Sequence, residues 1–242
     1  MRYFNDAGIE VPAVNAEQMR ELGRVTIGDA GIEWPQMMEN AGRSVALLAL
    51  ECLGEHWHGA NVAVLAGGGG NAAAGICGAR HLANRGMKVR LCLSEPEHVE
   101  EVAARQRRSF SFTAGKEVEP AELESPRPDL IVDALIGYGL TGAPLGRAAE
   151  LIKWANASGV PILSLDMPSG VNATTGHAPG VFIRPQWTLL LALPKTGLTR
   201  ENCGELYLAD LGIPPAAFQR AGLKYQNPFG TLFFIRLLVR DE

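Results

Sequence analysis

The stretch from Asn61 to Leu93 constrains this chain more than any other. Asn61-Val62-Ala63-Val64-Leu65-Ala66 is a short apolar run that breaks into four consecutive glycines, Gly67 to Gly70. A helical stretch, Ala72 to Asn84, follows and stops at Arg85-Gly86, and Lys88 to Leu93 is the next apolar run. Strand, glycine-rich turn, helix, glycine stop and strand make a βαβ unit. The alternation recurs downstream. Glu97 to Phe112 reads as a helix, Leu130 to Leu135 as a strand and Leu145 to Ala157 as a helix. Pro161 to Asp166 and Trp187 to Leu193 read as strands, with Glu205 to Asp210 a further strand near an edge. Strands that are apolar throughout are buried on both faces, so the expected sheet is mostly parallel and covered by helices. Upstream, Ala16 to Gly54 reads as two helices, the second from Met37, Met38, Ala41, Val45, Leu48 and Ala49 at helical spacing. The expectation is one α/β domain over residues 1–242 with an N-terminal helical extension. For Phe229 to Val239, apolar but mixed in period, a final strand and an interface segment both remain open.

Composition matters here for what it excludes. Hydrophobic residues at 47% and charged residues at 20% supply a real core and exclude a disordered chain. A net charge of -4 argues against a nucleic acid or an anionic membrane held by bulk charge. No apolar run approaches the ~20 residues that span a bilayer. Met1 to Asp6 lacks the order of a signal peptide, so the chain is expected to be soluble and cytoplasmic. Cys52, Cys77, Cys92 and Cys203 show no paired spacing and read as reduced, mostly buried thiols. His56 and His58, without further ligands, read as a solvated helix end rather than a zinc site.

Three turns follow three of these strands and should share one edge of the sheet. The first is the glycine turn, where backbone amides and a helix start favour a phosphate. Gly67, Gly69 and Ala72 also fit G-x-G-x-x-A, and Glu95, 23 positions after Ala72, stands where a ribose-binding acid belongs. An NAD(P)-dependent oxidoreductase is therefore an open alternative. Asp133 opens the second turn, and Asp166 opens the third, Asp166-Met167-Pro168-Ser169-Gly170. Two carboxylates at strand mouths facing a glycine-rich helix start suit a site handling phosphate, a cation and proton transfer.

The chain resembles the NAD(P)H-hydrate epimerase family, the YjeF N-terminal-domain fold, from roughly Val14 to Pro214. The resemblance rests on Glu17-Gln18-Met19-Arg20, on Met38-Glu39-Asn40-Ala41-Gly42 and on the glycine turn leading to Ala79-Arg80-His81-Leu82. It continues through Asp133-Ala134-Leu135 with Gly137, Asp166 to Gly170, and Pro194-Lys195 with Gly197-Leu198. It implies a Rossmann-like three-layer αβα sandwich, usually dimeric, that interconverts the C6 epimers of hydrated NADH or NADPH. A separate dehydratase would complete the repair. It also implies a potassium ion, with Asn71, Asp133 and Ser169 at the ligand positions and expected to converge on one oxygen-lined site. Substrate contacts are implied at Asn71, at Gly137, Gly139, Leu140 and Gly142, and at Asp166. Asn40 either orients the ring or bonds to a helix.

The reaction itself needs one group that acts as acid and then base. The ring nitrogen can expel the C6 hydroxyl once that hydroxyl is protonated, and water then re-enters from the other face. Asp166 is the expected group. Lys195 is the second choice, as a charge near the phosphates or a proton carrier, against a plain solvated lysine. Asp166→Asn is expected to abolish turnover without disturbing the fold. The family's turn reads Asn-Asn-Gly-Gly-Asp, whereas Gly70-Asn71-Ala72-Ala73-Ala74 stands here, and Gly23 replaces a frequent Asp in the first helix. Only Asn71 carries over. Binding should then rest on backbone amides, and Gly70→Asn with Ala74→Asp should tighten it. The loss of the Asp also leaves a non-catalytic scaffold open as a third reading.

Overall fold

The computed structural model describes residues 1–240; Asp241 and Glu242 lie outside the described residues. Two short strands, β1 (Arg2–Phe4) and β2 (Glu10–Val11), precede two helices, α1 (Ala16–Gly28) and α2 (Trp34–Leu53). Asn15 starts α1: its side chain accepts the Gln18 N–H at 2.8 Å while the Gln18 side chain accepts the Asn15 N–H at 3.0 Å. This reciprocal cap satisfies two of the amides a helix start leaves unpaired. In α2 the residues at helical spacing, Met37 to Ala49, are the buried ones.

The βαβ unit follows as β3 (Asn61–Ala66), α3 (Gly70–Ala83) and β4 (Lys88–Leu93), the strands paired in parallel from Asn61 with Lys88 to Ala66 with Leu93. Next come α4 (Glu101–Phe110), β5 (Lys116–Glu117), β6 (Leu130–Ala134), α5 (Gly146–Ala157), β7 (Ile162–Leu165) and β8 (Trp187–Leu191). The chain continues through β9 (Glu205–Ala209), α6 (Pro215–Arg220), β10 (Phe234–Arg236) and β11 (Leu238–Arg240). The main sheet has the order β10-β9-β8-β7-β6-β3-β4-β5, with β10 antiparallel to β9 and the other pairs parallel. Starting at β3, the chain builds outward through β4 and β5, then returns to the other flank at β6 and builds to β9. The strand order therefore reverses between β3 and β6. In open sheets of this kind a crevice forms there, beyond the carboxyl ends, and ligands bind in it.

Alternation along the strands divides the core. Val62, Val64, Leu130 and Val132 pack with α2, α3 and α4, while Ala63, Leu65 and Ile131 pack with Leu151, Ile152 and Ala155 of α5. Helices thus cover both faces, as the apolar strands require. Helices α2 and α3 touch closely, because a Cβ at Gly78 would stand 2.7 Å from the Val45 side chain.

Two expectations are corrected, the helical extension and the start of α4, and two segments without a settled reading are placed. The N-terminal extension is not purely helical: β1 and β2 join β11 in a separate antiparallel sheet, order β11-β1-β2. Strands of two or three residues carry no readable alternation. The segment from Phe229 splits between the two sheets, β10 at the edge of the large one and β11 in the small one. Helix α4 begins at Glu101 rather than Glu97, because the intervening residues wrap the glycine turn, where the Glu100 N–H donates to the Gly68 carbonyl at 2.8 Å. Strand β5 lies in a stretch that showed no apolar run.

Candidate functional site

The glycine turn sits at the reversal point. Its glycines are required by space: a Cβ at Gly67 would collide with the Leu135 carbonyl, and one at Gly68 with the His98 carbonyl. Helix α3 starts without a side-chain cap, so its first-turn amides face the crevice with no side-chain acceptor among the described residues. The crevice is a cleft of about 1000 Å³ lined by Gly68 to Asn71, Trp34, Met37, Tyr138 and Asp166, among others. Both polar atoms of the Asn71 side chain are buried there without a hydrogen-bond partner among the described residues. Such orphaned groups are rare in native interiors and point to something that completes them.

Asp133, at the end of β6, is fully buried. Its register partner on β7, Ser164, donates to Oδ2 at 2.8 Å, and the Ser169 N–H donates to the same oxygen at 3.0 Å. Oδ1 accepts the Ser169 hydroxyl at 2.5 Å and the Leu135 N–H at 3.3 Å. Burial still pushes this carboxyl above its ordinary range, against the pull of those four hydrogen bonds. The Ser169 oxygen also accepts the Ile136 N–H at 2.8 Å. Gly137, next in the chain, abuts the Asn71 side chain, which a Cβ there would approach to 3.2 Å. Asn71, Asp133 and Ser169 therefore gather around the turn from Leu135 to Gly137.

Asp166 forms the floor of the cleft. It stands at φ 67°, a left-handed conformation that a residue with a side chain seldom adopts, and the Met167 N–H donates back to the Leu165 carbonyl at 2.8 Å. Ala192, after the neighbouring strand β8, has φ 62° in the same kind of three-residue turn. These paired turns bring the Asp166 carboxylate against the Leu191 N–H at 3.2 Å and the Lys195 ammonium. Lys195 is completely buried and also donates to the Leu191 and Leu193 carbonyls, both at 2.9 Å. All three of its protons are thus engaged. The Lys195 backbone bridges to Val14, so the segment leading into α1 fixes this loop. A plain solvated lysine is excluded. So is a lysine reaching for phosphate: Asp166 lines the cleft, whereas Lys195 stands behind it.

The other candidate residues are distributed unevenly. Gly137, Gly139 and Gly23 line the cleft, while Leu140 and Gly142 do not. Asn40 spends its amide on the Leu211 carbonyl at 3.0 Å and is not among the lining residues. Tyr138, Trp34 and Arg20 line the cleft although the sequence gives none of them a site role. Burial raises the Tyr138 phenol and the Asp166 charge adds to the effect, which places that ring within electrostatic reach of the carboxylate. All four cysteines are free thiols, and Cys77 lies with Glu39 and His81 in one group. Arg80 also takes the Glu39 carboxylate, at 2.6 Å, so these side chains clasp α2 to α3.

Ala74 overturns one expectation outright. It is fully buried inside α3 and does not line the cleft, so an aspartate there would meet packed side chains rather than substrate. Ala74→Asp is expected to destabilise the protein by roughly 3 kcal/mol or more, the scale of a buried charge without a partner. Thermal denaturation checks this, and an unchanged midpoint would contradict the assigned packing.

The family described as YjeF-related protein N-terminus matches residues 35–197. The chain belongs to this family. It is 46% identical to an NAD(P)H-hydrate epimerase of Dehalogenimonas lykanthroporepellens, the alignment covering 100% of this chain and 99% of that one. It is 35% identical to a bifunctional NAD(P)H-hydrate repair enzyme of Hyperthermus butylicus, over 80% of this chain and 38% of the relative. The chain thus spans well under half of that longer protein. The crystal structure of the yeast protein YNL200c superposes with a TM-score of 0.80 at 21% identity, covering 93% of this chain and 100% of that one. At that identity the likeness concerns the fold.

Proposed function

We propose that this protein interconverts the R and S epimers at C6 of hydrated NADH and NADPH. The observation that carries the reading is the Asp166–Lys195 pair, buried at the floor of a nucleotide-sized cleft beside a glycine turn. The full-length 46% relative, itself a hydrate epimerase, supports the substrate class. The epimerase relative aligned over the whole of this chain favours catalysis over a non-catalytic scaffold, and among the described residues no hydride-transfer pair stands beside the glycine turn to favour an oxidoreductase.

The chemistry follows from the geometry. The pair is neutral overall and holds one transferable proton. Passing it to the C6 hydroxyl breaks the C–O bond, releases water and lets the ring-nitrogen lone pair form an iminium. The positive iminium then lies against a pair that has become negative by one charge. Water adds at the opposite face of C6, and its proton returns to the pair. A carboxylate lying near the ring plane at C6 reaches an oxygen on either face, so one group serves both half-reactions. Asp166 is the catalytic residue in this scheme. Lys195 is a positioning residue that holds it and supplies its proton. Gly137, Gly139 and Asn71 line the space for the substrate.

Asn71, Asp133 and Ser169 fit a monovalent cation. The Asn71 oxygen, without another partner among the described residues, and the Ser169 hydroxyl oxygen would hold it, while Asp133, whose oxygens already accept four hydrogen bonds, supplies the negative charge behind them, with no sulfur or imidazole in the set. Bound there, potassium supplies a fixed positive charge that offsets the buried Asp133. Potassium chloride is expected to raise the unfolding temperature more than sodium or magnesium chloride at equal ionic strength. Asn71→Ala should remove the difference, and identical shifts with all three salts would contradict the assignment.

We further propose a cytoplasmic homodimer that works with a separate dehydratase and is built as one unit over residues 1–242, a reading the family resemblance supports. No described helix is long and apolar enough to cross a membrane, and the exposed Leu232 and Phe233 leave apolar surface for a second copy. Sedimentation velocity should give about twice the chain mass of 25.9 kDa. The function is tested by giving the purified protein the R hydrate and following the S form by chromatography. Approach to the R/S equilibrium at catalytic protein concentration is expected, and a rate equal to the protein-free control would overturn the reading.

A further inference from the structure

We infer that Glu95 and Glu100 make the cleft select the hydrate that lacks a 2′-phosphate, which rests on the epimerase reading above. Both carboxylates stand on the segment joining β4 to α4, and both line the cleft. Each side chain turns back onto the glycine turn: a Cβ at Gly68 would lie 3.8 Å from Glu95 Oε2, and one at Gly69 3.5 Å from Glu100 Oε1. The hydrogen bond from the Glu100 N–H to the Gly68 carbonyl, at 2.8 Å, fixes that backbone to the turn.

The place of these groups in the topology gives them a ligand. β3, the glycine turn, α3 and β4 form the first βαβ unit on one side of the reversal point, and β4 is its second strand. A dinucleotide whose pyrophosphate meets the start of α3 lays its adenosine ribose beyond the end of that second strand. A carboxylate there accepts hydrogen bonds from ribose hydroxyls, whereas an arginine there accommodates a 2′-phosphate. The Asn71 amide nitrogen, a buried donor in the first turn of α3 with no partner among the described residues and one that a cation cannot satisfy, independently marks this helix start as a place where a ligand sits. Here the end of β4 carries acids. Arg105 also lines the cleft, but it is ion-paired with Glu101 one helical turn away on α4. Arg20 of α1 also lines the cleft, but its charge reaches Tyr138, as that of Asp166 does, which sets it toward the Asp166 end. A 2′-phosphate would therefore face two carboxylates.

Isothermal calorimetry with ADP-ribose and its 2′-phosphorylated analogue tests the proposal without requiring turnover. At matched ionic strength ADP-ribose should bind roughly tenfold tighter or more, the scale of like-charge contact near a protein surface. In the Glu95→Gln/Glu100→Gln double variant the gap should shrink to a few-fold, chiefly because the phosphorylated probe binds better. The same ordering is expected in kcat/KM for the two hydrates. Equal affinities, tighter binding of the phosphorylated probe, or a preference unaltered in the double variant would overturn the proposal while leaving the epimerase reading in place. Failure of both probes to bind would overturn it together with the placement of a dinucleotide in this cleft.

Discussion

Asp166→Asn should lower kcat by ~10²–10⁴-fold, the range for losing a positioned acid–base group. The amide is nearly isosteric and still accepts a hydrogen bond, but it cannot hand over and take back a proton at neutral pH. The structure adds a consequence that corrects the expectation of an undisturbed fold. Lys195 is completely buried, and among the described residues Asp166 is its only charged partner. Neutralising Asp166 leaves an ammonium in the interior with uncharged acceptors alone, the Leu191 and Leu193 carbonyls and the new amide oxygen. Breaking a buried pair from one side costs ~3–5 kcal/mol. Loss of turnover and a lower unfolding temperature should therefore appear together. Turnover near that of the parent protein would move the acid–base role away from Asp166.

Lys195→Met should be as damaging, from the other side. It strands the Asp166 carboxylate, with the Leu191 N–H as its remaining partner, and again costs ~3–5 kcal/mol. The two changes combined, Asp166→Asn with Lys195→Met, remove both charges and should recover most of the lost stability, because no uncompensated ion remains. Activity should not return. This split separates a catalytic pair from a structural one: thermal melts of the two single variants and the double variant should be strongly non-additive, whereas kcat should stay low in all three. A double variant as unstable as the sum of the singles would show that the pair is not coupled as the geometry indicates.

The β-α alternation was legible because each buried strand is a nearly unbroken apolar run and each glycine break falls between elements. Asp133 and Asp166 stood out for a related reason, since a carboxylate ending an apolar strand is costly unless something receives it. The environment of Lys195 was not legible. A lysine after Leu193-Pro194 reads as solvated, and only the adjacency of β7 and β8, with matching turns at Asp166 and Ala192, encloses it. Asn40 belongs with it, because its partner, the Leu211 carbonyl, lies 171 positions away. Ala74 was misplaced by a different route. Aligning it with a family aspartate located it in the sequence, but its helical phase, which points it into the core, decides what a side chain there touches. Trp34 and Tyr138 carried no signal in one sequence, since aromatic residues beside a proline or a glycine fit many settings.

Oxygen exchange during epimerisation tests the central claim most directly. The R hydrate is incubated with the protein in H₂¹⁸O, and the S form is isolated and weighed by mass spectrometry. If Asp166 drives expulsion of the C6 hydroxyl and water re-enters from the opposite face, each newly formed S molecule carries one ¹⁸O at C6, and Asp166→Asn yields neither S form nor label beyond the protein-free rate. Formation of unlabelled S hydrate, or no formation above that background by the parent protein, would contradict the account.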